Sequence, residues 1–346
     1  MASGSLLICA SKCSFRHVGV RQRTRLFIGP PGSQFCHTVV RCSLSHRRQL
    51  QGVIKRCAFG QSNSEDRRKW RRLRGLLSSP LPLRLHALYF LDAWLDFLPY
   101  RSKLNHALIE RAHYGYCLLH AAELARKLQD PRISAIEFGV AAGNGLLSLE
   151  DHARRVTDET GVAISIFGFD TGTGMPPPRD YRDIPYLWQA GYFVMDDPTK
   201  LRAKLKLSKL VFGKVEDTVE RFCREENPPP IGFIAFDLDY YSSTLAALSI
   251  FDQKTSYFLP RVVCYFDDTV GDIDWGYNRF TGELLAIEEF NSTHEHIKLD
   301  QVRGLRFFGH KLPRAWHEQI YVAHLFQHPK YCRPISELTQ LPLATD

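Results

Sequence analysis

The sequence predicts an α/β fold, a Rossmann-like doubly wound sheet of about seven strands, mostly parallel, with helices on both faces and a C-terminal antiparallel hairpin. Three observations lead there. From residue 133 onward, short apolar runs alternate with helical stretches. A glycine-rich turn follows the first of those runs, and the last two β-rich runs have no clear helix between them. Composition agrees: 346 residues, 44% hydrophobic and 24% charged, describe a globular chain and exclude disorder, collagen and coiled coil. No apolar run reaches the roughly 18 residues of a membrane span, so no membrane partner is expected. Nine cysteines without a Cys-x-x-Cys pair or a Cys/His zinc spacing point to a reducing, cytoplasmic setting.

The net charge of +8 is unevenly spread. Residues 1–64 hold ten Lys/Arg and no acid, and extending to Arg74 gives sixteen bases against Glu65 and Asp66. Residues 75–346 carry 29 bases and 35 acids. Three readings fit this basic leader, taken as residues 1–75. It could be an organelle transit peptide, an arm for nucleic acid or another anionic surface, or a non-folding extension. On each of them it is expected to be dispensable for the fold.

The folded pattern opens at Leu81. Helical spacing runs to Leu128, with Leu118, Ala121, Ala122, Ala125 and Leu128 on one side, and Asp130-Pro131 stops it. This makes a helical segment over 76–130. Strands are expected at 133–138, 163–169, 210–215, 231–236 and 261–266, by their apolar and β-branched runs. Helices are expected at 146–156, 201–207, 217–224, 243–251 and 281–290. A proline- and aromatic-rich loop spans 176–197, and two closing strands are placed at 305–309 and 319–326. The sheet domain would then cover 131–335, with a tail at 336–346.

Glu137-Phe138-Gly139-Val140-Ala141-Ala142-Gly143-Asn144-Gly145 ends the first strand and opens a helix. Its glycines permit a tight turn and close backbone approach to a ligand. The spacing imitates short-chain dehydrogenases, but no tyrosine here has lysine four residues later, and Glu137 inside an apolar strand would go unexplained. The densest chemistry lies further on. Asp237 and Asp239 follow the fourth strand at a spacing that lets both face one side, and Asp267-Asp268 follow the fifth. In a parallel sheet these ends meet at one edge, where converging carboxylates repel unless a hard cation such as Mg²⁺, Mn²⁺ or Ca²⁺ joins them. Helix capping or ion pairing is the alternative reading for any single acid, Asp217 included.

The glycine turn resembles motif I of class I S-adenosylmethionine-dependent methyltransferases, Glu/Asp-x-Gly-x-Gly-x-Gly, with Ala141 in place of the middle glycine. Phe169-Asp170-Thr171 with Gly174-Met175-Pro176, Asp237-x-Asp239-x-Tyr241 followed by Ser243-Thr244, and Asp267-Asp268 narrow the resemblance to the macrocin-type O-methyltransferases. It covers roughly residues 133–290. The resemblance implies S-adenosylmethionine held by Glu137, Gly139, Ala141, Gly143, Asp170 (on the ribose diol), Thr171, Glu216 and Asp217. It implies Mg²⁺ or another hard dication on Asp237, Asp267 and Asp268, and Asp239 as the base, with the roles of Asp237 and Asp239 open to exchange. The implied acceptor is a small molecule, a sugar or natural-product hydroxyl, and a homo-oligomer is compatible with it.

The chain departs from that pattern at Ser242, where the family often has Glu, and across residues 316–321 and His328-Pro329. Two rival functions are an RNA methyltransferase using the leader and a catalytically silent binding protein. Asn227-Pro228-Pro229-Pro230 superficially resembles an amino-methylation signature but precedes its strand and reads as a turn. The acidic balance after the leader also disfavours a phosphate-rich substrate. His294 and His296 read as a solvated loop, and His317 as either a lid contact or a packed core residue.

Overall fold

The structure, a computed structural model, describes residues 83–307 and 313–336. The leader at 1–75 and residues 337–346 of the tail lie outside the described residues, which all belong to one compact unit, Glu65–Asp346.

Three helices precede the sheet: α1 (Leu83–Leu95), α2 (Tyr100–Asn105) and α3 (Ala112–Lys127). The continuous helical spacing of the sequence is thus broken twice. Pro99 caps α2, and left-handed backbone at Ala107 and Arg111 turns the chain before α3. The inner face of α3 is small, with Cys117, Ala121, Ala122 and Ala125 fully buried. It lies so close to the sheet that a Cβ at Gly232 would meet Ala121 Cβ at 3.2 Å.

The alternation then follows the expected order: β1 (Arg132–Phe138), α4 (Asn144–Thr160), β2 (Ala163–Asp170), α5 (Pro198–Lys204), β3 (Ser208–Phe212), α6 (Val215–Glu226), β4 (Ile231–Phe236), α7 (Tyr241–Leu248), β5 (Phe258–Phe266), α8 (Gly282–Thr293), β6 (Ile297–Gln301) and β7 (Ile320–Leu325). The sheet order is β3-β2-β1-β4-β5-β7-β6. The first five strands are parallel, β7 runs antiparallel to β5, and β6 runs antiparallel to β7. Strand order reverses between β1 and β4, and the carboxyl ends flanking that point form the ligand crevice of such sheets.

Alternate strand residues feed two cores. Ile133, Ala135, Phe233 and Ala235 pack toward α3 and α4, while Ile136, Phe138, Ile234 and Phe236 pack toward α6, α7 and α8. β1, β4 and β5 end on a phenylalanine and β2 has one at its last but one position; register brings Phe138 beside Phe169 and Phe236, and Phe236 beside Phe266. The rings form one row across the sheet, at centroid separations of 4.7, 5.5 and 4.5 Å, continued by Tyr321 at 5.1 Å from Phe266. Each ring immediately precedes a residue of interest: Gly139, Asp170, Asp237 or Asp267. The row therefore levels the edge on which those residues stand.

Three of the differences from the expected boundaries have a clear physical reason. The sixth strand is Ile297–Gln301, whereas Leu305–Phe307 form a single 3-10 turn and residues 308–309 lie outside the described residues. The true strand alternates, with Leu299 buried and Asp300 exposed, as an edge strand covered on one face does, so its polar half disguised it. Val215 belongs to α6, because Gly213 at φ 140° ends the preceding strand early. α5 starts at Pro198, earlier than expected, where Asp197 accepts from Lys200 N (2.8 Å). The Asn227–Pro230 segment is the expected turn, with Asn227 in left-handed backbone and the Pro229 and Pro230 carbonyls accepting from Ser134.

Candidate active site

Beyond Phe138 the chain turns through Gly139 (φ 87°), Ala141 (φ 45°) and Gly143 (φ 81°) into α4. A Cβ at 139 would stand 1.8 Å from the Asp237 carbonyl oxygen, so the ends of β1 and β4 touch through this glycine. At 143 a Cβ would instead strike Leu201 of α5 at 2.2 Å, so that glycine serves helix packing as well as the turn. The α4 residue Gly145 lies on Glu137, with 1.8 Å between its notional Cβ and Oε1.

Asp170 clamps the turn. Its Oδ2 accepts from Val140 N (2.9 Å) and Ala141 N (2.8 Å), and its Oδ1 accepts from Gly172 N (2.6 Å). The carboxylate expected at the ribose thus also orders both loops of the crevice, and Oδ1 keeps acceptor capacity. Thr171 shapes the next turn, donating to the Gly174 carbonyl (2.9 Å). Glu216 and Asp217 lie exposed in the first turn of α6, where the helix dipole favours acids; Glu216 meets Arg179 at 3.0 Å. Lys214 occupies the cap position without a side-chain bond, so Asp217 is not the cap.

Glu137 is fully buried, and the Tyr114 hydroxyl donates to its Oε1 (2.9 Å) while Oε2 has no partner. Burial pushes its pKa up to about 7, against the pull of Arg111 and the Tyr114 bond.

The acids beyond β4 and β5 do gather at one edge, though not as two continuous strands. β4 stops at Phe236, and Asp239 adopts left-handed backbone (φ 59°), which turns it inward to 8% exposure while Asp237 stays partly open. Asp239 N donates to Asp268 Oδ2 (3.1 Å), which sets the two acids side by side. Burial and the neighbouring Asp268 push Asp239 up to about 9, and burial raises Asp268 to about 6 despite the Tyr277 bond that opposes it. Asp237 is raised by burial and by repulsion from Asp267 and Asp268. Tyr265 donates to Asp267 Oδ1 (2.6 Å), Tyr277 donates to Asp268 Oδ1 (2.6 Å), and Arg111 Nη1 stands 4.0 Å from Asp237 Oδ2. With the acids held this way, no three His, Cys, Asp or Glu side chains among the described residues form a ready metal-ligating array.

Arg111, Tyr114, Tyr265, Tyr277 and Glu283 are site residues that the sequence reading missed. Tyr265 had a visible signal, since it lies two residues before Asp267 and so on the same face; the others depend on tertiary placement. Asp183 was also missed. Fully buried, it accepts from Arg179 N (2.8 Å), Ser242 N (2.8 Å) and Ser242 Oγ (3.0 Å). It pins the aromatic 176–197 loop to the start of α7, which gives Ser242 a use of its own.

The raised acids imply a pH dependence of stability. Asp239 holds its proton more tightly folded than unfolded, so its contribution is complete below about pH 4 and is lost as pH rises toward 9. With dications chelated, the Asp239 contribution alone is expected to fall by about 2 kcal/mol between pH 7 and pH 9. Buried His152, depressed to about 4, contributes nothing in that window. Urea unfolding at the two pH values checks this, and an unchanged or higher midpoint at pH 9 would contradict it.

Three further histidines were singled out in the sequence. His294 Nδ1 meets the Phe290 carbonyl (2.9 Å) at the end of α8, and its ring stacks on Phe290; His296 is exposed. His317 is buried against Trp316, and its Nδ1 accepts from Arg314 N (3.2 Å). A recess of about 490 Å³ lined by Lys298, Asp300, His324 and Phe326 also lies elsewhere, since His324 pairs with Arg261 near the start of β5.

No family model matches the chain, and no curated protein matches it. Among solved structures, the calicheamicin methyltransferase CalS11 is similar at 23% identity over 78% of this chain and 96% of its own, with a TM-score of 0.44. The O-methyltransferase NovP is similar at 13% identity over 63% of this chain and 82% of its own, with a TM-score of 0.41. MycE, a methyltransferase of the mycinamycin pathway solved with Mg and SAH, is similar at 13% identity over 62% and 51%, with a TM-score of 0.33. By its own sheet order, glycine turn and strand-end acids, the chain resembles the class I S-adenosylmethionine-dependent methyltransferases.

Proposed function

We propose that the protein is an S-adenosylmethionine-dependent O-methyltransferase that acts on a hydroxyl of a small organic acceptor with the help of a hard divalent cation. The observation that carries this reading is one juxtaposition at the switch point of the sheet. A glycine turn clamped by Asp170 adjoins a cluster of carboxylates gathered at the ends of β4 and β5. The oxygen donors suit the chemistry of both groups. Asp170 Oδ1 and the buried, unpartnered Glu137 Oε2 are acceptors available to the diol and the amino-acid end of such a cofactor. Asp237, Asp267 and Asp268 offer only hard oxygen donors, which suit Mg²⁺ and not a thiophilic metal.

The cofactor supplies an electrophilic methyl on a sulfonium, and the dication, when bound, acidifies a coordinated hydroxyl. The chain's own part is positioning and proton transfer. Asp237, Asp267 and Asp268 would hold the cation, and Asp239, turned inward by its backbone and ionised when the cation's charge offsets its acidic neighbours, would accept the acceptor's proton. Tyr265 and Tyr277 orient Asp267 and Asp268. Exposed aromatics from two loops, Tyr186 and Trp275, joined by a bond from the Tyr186 hydroxyl to the Trp275 carbonyl (3.2 Å), offer faces for a flat or sugar-like acceptor.

The test is transfer of labelled methyl to a panel of hydroxylated sugars and phenols, with Mg²⁺ or with excess chelator. Activity should depend on the dication, and full activity in chelator would remove the cation from the mechanism. Asp267→Asn is expected to weaken Mg²⁺ binding at least roughly tenfold while leaving cofactor affinity near that of the wild type. Calorimetry with each ligand separates the two effects.

A further inference from the structure

α1 carries large side chains on two faces and buries one of them. Tyr89 and Asp92 form the inner face. The Tyr89 ring lies 5.8 Å from His106, and Asp92 Oδ1 accepts from Leu98 N (2.8 Å) and stands 3.5 Å from Lys103 Nζ. On the opposite side, Phe90, Leu91, Trp94 and Leu95 recur at the spacing of a single helix stripe. They are between 46 and 73% exposed, and Phe97, just past the helix, adds a further ring at 50%. The Phe90 and Trp94 rings lie 6.0 Å apart. Single exposed apolar residues are ordinary on a protein surface, but five within residues 90–97 make a patch, and patches mark contacts. One exposed acid interrupts it, Asp96, to which Lys103 bonds.

The charge beside the patch in the chain points to its occupant. Arg67, Arg68, Lys69, Arg71, Arg72 and Arg74 precede α1, the last of them by nine residues, and no acid occurs from Arg67 to Leu91. A cationic run joined to a short helix face of Trp, Phe and Leu suits an anionic lipid surface. The apolar side chains enter the headgroup boundary, and the bases meet the lipid charges. Each half is weak alone: a small apolar anchor binds reversibly, and a base near the leaflet adds only roughly fivefold in affinity. A second copy of the chain would match the stripe but would bring two such runs of like charge together. Nucleic acid would match the charge but leave Leu91 and Leu95 without apolar partners. No span is required, and none of the described helices is long and apolar enough to cross a membrane. We propose that the outer face of α1, with the basic run before it, docks the protein on an anionic lipid bilayer, the helix lying in the plane of the headgroups.

The test is co-sedimentation of the full chain with vesicles of phosphatidylcholine, alone or mixed with phosphatidylserine. Wild type is compared with Trp94→Ser/Leu95→Ser and with Arg71→Ser/Arg72→Ser/Arg74→Ser. Wild type should bind the mixed vesicles, less tightly as salt rises, and bind phosphatidylcholine alone far more weakly. Each variant should bind the mixed vesicles at least roughly tenfold more weakly. The substituted α1 residues are exposed, so the melting temperature should stay near that of wild type; if the double variant fails to fold, Phe90→Ser takes its place. No binding of wild type to the mixed vesicles would overturn the proposal. So would wild-type affinity in the folded α1 variant, which would leave the basic run acting alone. A wild type that is dimeric in solution and turns monomeric on Trp94→Ser/Leu95→Ser would give the face to a second copy. Tighter binding to single-stranded RNA than to the mixed vesicles, lost in both variants, would give it to nucleic acid.

Discussion

Asp239→Asn is expected to slow methyl transfer roughly 10²–10⁴-fold, the usual loss when a general base is removed, with fold and cofactor affinity intact. Three features make the variant informative. Asparagine tolerates left-handed backbone about as well as aspartate, so the φ of 59° at this position can be kept. The bond to Asp268 comes from the backbone N–H at this position, so the substitution leaves it in place. The residue touches no part of the Asp170 clamp or the glycine turn, so binding of S-adenosylmethionine should not change. Single-turnover rates on whichever acceptor proves active, beside cofactor titration, check both halves. A rate within a few-fold of wild type would transfer the base role elsewhere, with Asp237 the nearest candidate.

Phe236→Ala is expected to cost about 3–5 kcal/mol of stability, the range for truncating a large buried aromatic. Phe236 is completely buried at the centre of the ring row, stacked at 3° on Phe266 and at 24° on Phe138. The lost volume cannot be refilled from either side, because both neighbours belong to paired strands. A stability of 5–15 kcal/mol is typical of folded domains, so the variant should unfold at a markedly lower urea concentration. A midpoint close to wild type would show that the row is a by-product of strand register and not a support for the edge.

Much of the fold was legible because its signals are local. Apolar runs ending in Phe-Gly or Phe-Asp marked four strand ends, and the same dipeptides named Gly139, Asp170, Asp237 and Asp267 as neighbours in space. What was not legible depends on contacts across the sheet. Nothing in the sequence around Arg111 or Tyr114 shows that α3 comes to rest over Glu137 and Asp237, because helical spacing gives a buried face but not the strand it covers. Glu283 carries no local signal, because acids are common at helix starts on solvated surfaces. Asp239 was placed on the face of a continued strand, and only its left-handed turn shows that the strand has already ended. The sixth strand was missed for a related reason: an edge strand buries only alternate residues, and Leu299 alone is a weak signal between Lys298 and Asp300.

The most direct measurement of the central claim is calorimetric titration of the full chain with S-adenosylmethionine, repeated with Asp170→Ala. Wild type should bind the cofactor saturably at one site, and the variant should bind at least roughly tenfold more weakly, since it loses both a diol acceptor and the clamp on Val140 and Ala141. No binding by the wild type, or equal binding by the two proteins, would contradict placing the cofactor at this edge of the sheet.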